Sequence, residues 1–201
     1  MAAVVTLIRT GCRFGLAFLL LASAAAHDAA AQSLNPGPPG PFVLDARGVV
    51  SGIPNSEVFV PPEVTVATIP ARGFGGGIGA HVYAIQLGPG RFGIGVDLAF
   101  ARGTSTEVQT TLTTVDPQLS FNFGTADGWS YLSAGVGAAR VKSEPSGLSE
   151  SVQAVNWGGG ARWFLSQHFG IGFDIRVRHL SAGDIVPKGT SVAAAVGLSF
   201  K

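Results

Sequence analysis

The stretch that decides the fold is FGIGFDIRVR, residues 169–178. Successive side chains of a β-strand point to opposite faces of the sheet. One face of this segment is therefore wholly apolar, whereas the other carries two glycines and the charged residues Asp174, Arg176 and Arg178. A soluble sandwich would bury those charges at high cost, but the lumen of a membrane barrel can pair them internally. The pattern predicts a transmembrane strand whose apolar face meets lipid.

The same alternation recurs from residue 41 to residue 201, in segments of about ten residues separated by connections. It is clear over 92–100, 115–123 and 192–200, and weaker near residues 42, 74 and 155. In segment 129–142, Leu132 and Val136 share a face with Arg140, so its orientation stays open.

The lengths of the connections indicate the topology. Short turns at 87–91, 124–128 and 166–168 alternate with longer connections at 54–70, 103–110, 143–152 and 181–189. Outer-membrane barrels place short turns in the periplasm and long loops outside. We therefore expect an all-β fold, an antiparallel up-and-down transmembrane β-barrel of about eight strands.

Composition agrees with this fold class. The 201 residues are 46% hydrophobic and 12% charged, with a mean hydropathy of +0.37. Beyond the N-terminus no apolar run approaches the roughly 20 residues that a transmembrane helix needs. Without residues 1–31 the basic and acidic residues are equal in number, which gives no indication of nucleic-acid binding.

The N-terminus is typical of an export signal. Arg9 and Arg13 precede the apolar stretch 14–26, and Ala29-Ala30-Ala31 before Gln32 predicts cleavage after residue 31. Cleavage after residue 26, or retention of the segment as a membrane anchor, are the alternatives. Cys12 precedes the apolar stretch, so it is not a lipoprotein cysteine, and the mature chain would have none. Residues 32–40 (QSLNPGPPG) are expected to form a Pro/Gly-rich periplasmic lead-in.

Large aromatic residues provide an independent indication. If the tight turns are periplasmic, several of them fall on the outward face near that boundary, as an interfacial girdle requires. Filling of a soluble core is the alternative. The predicted girdle comprises Phe42, Phe92, Phe123, Trp163, Phe169 and Phe200.

Glycine-rich segments such as GFGGGIGAHV, GRFGIGVDLAF and WSYLSAGVGAARV, with the terminal SVAAAVGLSFK, resemble the small outer-membrane barrel family, the OmpA/OmpX-like transmembrane domain. The resemblance covers residues 41–201. It implies location in the outer membrane of a Gram-negative cell, surroundings of outer-membrane lipid and lipopolysaccharide, and recognition of a terminal aromatic by the barrel-assembly machinery. Here Phe200 is followed by Lys201, a small departure from that pattern.

The interior of such a barrel is just wide enough to be filled by side chains. Mixed carboxylates and guanidiniums on the inward positions predict a hydrogen-bonded plug rather than a porin-like pore. A narrow ion path is an alternative, because many inward positions are glycine. The predicted charge network comprises Asp45, Arg47, Asp97, Asp116, Arg162, Asp174, Arg176 and Arg178.

Only one segment indicates chemistry. His179 and Ser181 resemble the H-x-S segment of outer-membrane lipid A deacylases, in which a His activates a Ser nucleophile and a carboxylate orients the His. Here Ala182 replaces the family's Asn, and the following strand offers no carboxylate. A nucleophile needs that third group, so these two residues are weak catalytic candidates. No spacing indicates a metal, and no cofactor is expected.

The leading hypothesis is therefore a barrel with a structural or surface-interaction role and no assigned enzymatic activity. Loops 54–70 and 143–152 would carry any extracellular partner. A lipid A-modifying esterase and a narrow channel are the alternatives.

Overall fold

The computed structural model describes residues 39–54, 56 and 69–201, which belong to one compact unit, residues 37–201. Eight antiparallel strands form a closed barrel in sequence order. The predicted fold class is confirmed. The strands are β1 (Phe42–Gly52), β2 (Arg72–Leu87), β3 (Gly90–Thr104), β4 (Gln109–Gly124), β5 (Gly128–Glu144), β6 (Ser149–Phe164), β7 (Phe169–Leu180) and β8 (Gly189–Phe200).

Closure depends on the pairing of β1 with β8, where Leu44 opposes Phe200 and Ser51 opposes Ala193. The short β2–β3, β4–β5 and β6–β7 connections lie at one end of the barrel, together with the start of β1 and the end of β8. We call this the turn end and the opposite end the loop end. Within the described ranges, no helix is long and apolar enough to cross a membrane.

The alternation of side chains follows the predicted period of two. In β7 the outward residues are Phe169, Ile171, Phe173, Ile175 and Val177. The inward residues from Gly172 to Leu180 are charged or apolar, and most of them are buried. Apolar outward side chains encircle the barrel as a continuous belt. Many of them are about half exposed, as a lipid-facing surface requires.

The sequence leaves the orientation of β5 open, and the length of the strand explains why its outward face carries an arginine. Leu132, Val136 and Arg140 do face outward together. The strand has 17 residues and extends past the apolar belt at the loop end, so Arg140 lies above the belt rather than inside it. An outward charge is compatible with a membrane strand at that height.

Two of the connections expected to be long are short. β3 ends at Thr104 and β4 begins at Gln109, while β5 ends at Glu144 and β6 begins at Ser149. The expectation for 103–110 and 143–152 was therefore wrong, because the strands continue beyond the belt as hairpins. The β7–β8 connection is longer. The predicted signal peptide 1–31 and most of 32–40 and 54–70 lie outside the described residues.

A tight turn joins β2 to β3 at the turn end. Gly88 has a φ of +57°, in the left-handed region that favours glycine, and Pro89 follows it. Nearby, the β2–β3 register shifts between Val82 and Ile85, which marks a β-bulge. Both features agree with the turn that the LGPGR sequence predicts.

Candidate functional site

The lumen is filled by three layers of side chains. At the turn end, Val43, Tyr83, Trp129 and Phe164 form an aromatic layer. At the loop end, aliphatic residues form a second apolar layer. The middle of the lumen is polar, and we call it the ionic layer. The residues of the aliphatic layer are Ile53, Leu112, Ala139, Val141, Val152, Ala154, Leu180 and Val186, with Leu148 and Ile185 packed against them.

The ionic layer contains all eight residues of the predicted charge network. Each carboxylate has a guanidinium partner: Arg162 with Asp45, Arg47 with Asp97, Arg176 with Asp174 and Arg178 with Asp116. The partners of each of these pairs come from different strands, except in the Arg176–Asp174 pair of β7. Because four Asp face four Arg, the layer has no net formal charge.

All four ion pairs are almost completely buried, and two of them have short, well-directed hydrogen bonds. Arg162 donates from Nε and Nη2 to the two carboxylate oxygens of Asp45, over 2.9 and 2.7 Å. Nε of Arg178 donates to Oδ2 of Asp116 over 2.8 Å. Charge-assisted bonds of this geometry are the strong class of hydrogen bond, and they compensate the loss of hydration that burial imposes on each charge.

Neutral polar groups complete the layer. Tyr131 donates to Asp174 over 2.6 Å, and Ser199 donates to Asp45 over 2.7 Å. The Arg162 guanidinium lies 3.9 Å from the centroid of the Tyr131 ring, a cation–π contact. Tyr131 is not among the network residues predicted from the sequence, because the sequence leaves the orientation of its strand open.

A histidine and a glutamine extend the polar layer across β2 and β4. The side-chain amide of Gln118 lies 2.7 Å from Nε2 of His81, and its oxygen accepts from Arg176. Asn156 accepts from Arg176 over 3.3 Å. His81 is thus a hydrogen-bonded lumen residue. No group of three or more potential metal-ligating side chains occurs in the described part of the chain.

Little space remains inside the ionic layer. A cavity beside Asp45, Arg47, Tyr131 and Arg162 has a volume of about 10 Å³, close to the minimum that one water molecule needs. The inward glycines do not widen the lumen. A Cβ at Gly79 would lie 2.7 Å from Nη2 of Arg47 and 3.1 Å from Oδ2 of Asp97, so glycine makes room for the ion pair.

Lys201 closes the turn end below the aromatic layer. Its Nζ lies 4.0 Å from the centroid of the Phe164 ring and 5.5 Å from that of Trp129, and it donates to the carbonyl of Ala126. Its backbone N–H donates to the carbonyl of His168 over 3.0 Å. The residue after Phe200 therefore covers the mouth of the barrel.

Glu150 holds the β7–β8 loop over the other mouth. Its carboxylate accepts backbone hydrogen bonds from Asp184, Ile185 and Val186 over 2.6, 2.9 and 2.7 Å. This places Val186 in the aliphatic layer, where it is 1% exposed. We call this contact the Glu150 latch. The sequence analysis did not identify it, because the donors are backbone groups 34 to 36 residues away.

The predicted aromatic girdle lies on the outward face near the turn end. Four of its members are between about a third and a half exposed, and Phe92 and Trp163 are less so. Outward aromatic residues also mark the loop-end side of the belt, and the sequence analysis did not include them in a girdle. They are Phe74, Phe100 and Trp157, which are 71%, 53% and 47% exposed.

His179 and Ser181 lie at the loop-end boundary of the belt. Nδ1 of His179 is 3.2 Å from the hydroxyl of Thr190, its partner in the β7–β8 register. The exposed Ser181 donates its backbone N–H to Gln153. Among the described residues no carboxylate hydrogen-bonds to His179. The acid that a Ser–His pair requires is therefore missing from this arrangement.

A closed barrel with an apolar outer belt and a charge-paired lumen defines an integral membrane protein that crosses the bilayer with strands. The chain belongs to the outer membrane protein beta-barrel domain family, whose sequence model matches residues 14–200. It is accordingly a protein of the bacterial outer membrane, with its turn end toward the periplasm and its loop end outside. Both the predicted family and the predicted location are confirmed.

Several solved structures are similar to this chain. Neisserial surface protein A, NspA, aligns with a TM-score of 0.60 and 16% identity over 80% of this chain and 96% of that one. The Yersinia pestis attachment invasion locus protein, Ail, aligns with a TM-score of 0.48 and 16% identity over 80% of this chain and 97% of that one. The outer membrane enzyme PagL aligns with a TM-score of 0.47 and 14% identity over 80% of this chain and 99% of that one. No curated protein sequence matches this chain significantly.

Proposed function

We propose that this protein is a non-conducting outer-membrane barrel with a structural or surface-interaction role. The observation that carries the proposal is the filled lumen: the ionic layer leaves a cavity of about 10 Å³ beside its central ion pairs, between two apolar layers. An ion path through this lumen would require several buried ion pairs to separate. Leaving one partner of a buried pair uncompensated typically costs about 3–5 kcal/mol.

The loop end supplies the surface for interaction. The β3–β4 and β5–β6 hairpins rise above the belt and border a shallow, open hollow of about 470 Å³. Its lining includes Glu107, Lys142 and Glu144, together with other residues of the two hairpins. Such a polar hollow on a rigid support is suited to a hydrophilic extracellular partner. Recognition of the Phe200 strand by the barrel-assembly machinery stays a prediction.

Planar-bilayer recording tests the proposal. The purified barrel is reconstituted beside a general porin, and protease protection in proteoliposomes verifies insertion. We expect no stable large conductance from this protein under conditions in which the porin conducts. A stable large conductance from inserted protein would overturn the filled-lumen proposal, and a small selective conductance would favour the narrow channel instead.

The lipid A-esterase alternative has one supporting observation, the placement of His179 and Ser181 at the belt boundary facing lipid. The hydrogen bond between His179 and Thr190 weighs against it, because a hydroxyl does not provide the negative charge that stabilises an imidazolium. We therefore keep the structural role as the proposed function.

A further inference from the structure

The outward residues just above the apolar belt at the loop end are unevenly charged around the barrel. On β2, β3 and β5 they are basic, and all are exposed. On β6, β7, β8 and β1 the residues at the same boundary are Gln153, His179, Thr190 and Gly52. We call the basic set the basic arc. It consists of Arg72, Arg102, Arg140 and Lys142.

The strand register holds the arc together. Thr111 of β4 pairs with Arg102 on one side and with Lys142 on the other. Neighbouring strands are about 4.8 Å apart, so the Cα atoms of Arg102 and Lys142 are about 10 Å apart. Arg140 lies two residues closer to the belt, opposite Thr113. Arg102, Arg140 and Lys142 therefore flank a short polar stretch of β4.

Within the described residues, few charges of the arc have a carboxylate partner. The side chains of Arg72 and Arg102 form no hydrogen bond or ion pair with another described residue, and Arg140 donates to the hydroxyl of Ser149 over 2.9 Å. Lys142 pairs with Glu144. The Lys142 hydrogen bond and the positive charges of Lys142 and Arg102 lower the pKa of Glu144 below its ordinary value. In the described part of the chain, Glu144 is thus the one carboxylate that forms an ion pair with the arc.

An apolar groove runs directly below the arc on the lipid-facing surface. It has a volume of about 590 Å³, and its lining includes Ile78, Leu98, Phe100 and Val115. Phe100 lies two residues below Arg102 on the same outward face, and Thr113, opposite Arg140, also lines the groove. Cationic and apolar surfaces therefore adjoin, as an anionic amphiphile requires.

We propose that the basic arc and this groove form a binding site for lipid A, the phosphorylated glycolipid of the outer leaflet. Its phosphates would lie at the arc and an acyl chain in the groove. Arginine forks match phosphate geometry, and basic clusters at a membrane surface attract anionic headgroups. The loop end faces the outer leaflet, where this lipid resides. The site goes beyond the proposed function, which concerns the lumen and the hairpins.

Native mass spectrometry of the detergent-purified barrel tests the site. The added probes are diphosphoryl lipid A, monophosphoryl lipid A and phosphatidylglycerol. The test variant is Arg102→Gln/Arg140→Gln. The matched control, Arg91→Gln/Lys188→Gln, removes the same charge outside the arc. Unboiled and boiled gel mobility verifies that each barrel is folded.

We expect the test variant to bind diphosphoryl lipid A at least about tenfold more weakly than the wild type, and the control variant to bind it normally. The wild type should prefer diphosphoryl lipid A to both other probes, and added salt should weaken its binding. Equal binding by the test variant, equal losses in both variants, or equal affinity for phosphatidylglycerol would overturn the proposal.

A second measurement needs no variant. Arginine Nε–Hε NMR signals of the wild-type barrel report directly on the arc. We expect diphosphoryl lipid A to shift the signals of Arg72, Arg102 and Arg140, and to leave Arg91 unchanged. If the signals of Arg72, Arg102 and Arg140 did not shift, the result would contradict the proposed site. None of these outcomes depends on whether the lumen conducts.

Discussion

Arg162 on β6 reaches across the lumen and holds the carboxylate of Asp45 on β1 with two hydrogen bonds of 2.9 and 2.7 Å. These two strands are not neighbours in the barrel, so the pair ties opposite walls together. Both side chains are almost fully buried. The pair therefore stabilises the circular cross-section only while both charges are present.

This relationship gives the first prediction. Asp45→Asn and Arg162→Met should each lower the free energy of unfolding by about 3–5 kcal/mol, because either change leaves an uncompensated buried charge. The combined variant should lose less than the sum of the two. Urea unfolding of the barrel in lipid vesicles, followed by tryptophan fluorescence, measures all four corners of the cycle. Additive losses would show that the two groups act separately.

The second prediction concerns the lipid-facing belt. Val96 lies midway along the apolar outward face of β3, whereas Thr104 lies on the same face beyond the belt. Val96→Arg should destabilise the barrel by about 2–4 kcal/mol, and Thr104→Arg by about 0–1 kcal/mol, because the cost of an outward charge depends on its depth in the bilayer. Unfolding in vesicles measures both. Equal losses of stability in the two variants would show that the assigned membrane boundary is wrong.

The Glu150 latch gives a pH dependence. Glu150 is the second residue of β6, above the belt, and hydrogen bonds from the backbone N–H groups of Ile185, Asp184 and Val186 lower the pKa of its carboxyl below the ordinary 4.5. The contribution of the latch is therefore complete above the ordinary pKa and is lost as the pH falls through the lowered pKa.

Hydrogen exchange of the three donor amides tests the latch. Corrected for intrinsic rates, their protection should fall on acidification, and Glu150→Gln should reduce it at neutral pH. Glu144→Gln is the matched control, since Glu144 pairs with Lys142 rather than with the loop. Unchanged protection in Glu150→Gln would show that packing of Val186 alone holds the loop.

The fourth prediction concerns chemistry at the belt boundary. Lipid A from cells expressing the wild type should be identical by mass spectrometry to lipid A from cells expressing His179→Ala or Ser181→Ala. The reason is that His179 hydrogen-bonds to a hydroxyl, not to a carboxylate. A strain expressing an active deacylase serves as the positive control. Loss of an acyl chain that requires both residues would establish an esterase.

The barrel itself follows from local features of the sequence. The period of two in FGIGFDIRVR assigns lipid and lumen faces without knowledge of any partner strand, because a strand can place Asp174 and Ile175 only on opposite sides. Turn-forming residues such as those of LGPGR then separate the strands. The inward positions of the eight network residues follow from this parity alone.

The pairing of lumen charges from distant strands could not be predicted from the sequence, because it depends on strand register and barrel closure. Parity places Asp45 and Arg162 inside, but their hydrogen bond exists only because the barrel brings β1 and β6 to face each other. The lengths of the loop-end hairpins were misjudged for a related reason. Polar strands above the belt have no apolar alternation, although their ladder hydrogen bonds continue.

The sequence by itself determined the fold class, the outer-membrane location and the two faces of the strands other than β5, since these depend on the spacing of residues along one chain. Only the tertiary structure decided which charges pair, that Lys201 and Val186 close the two mouths, and that the outward cations form an arc. Those relationships connect residues that are distant in sequence, and strand register and barrel curvature determine their separation in space.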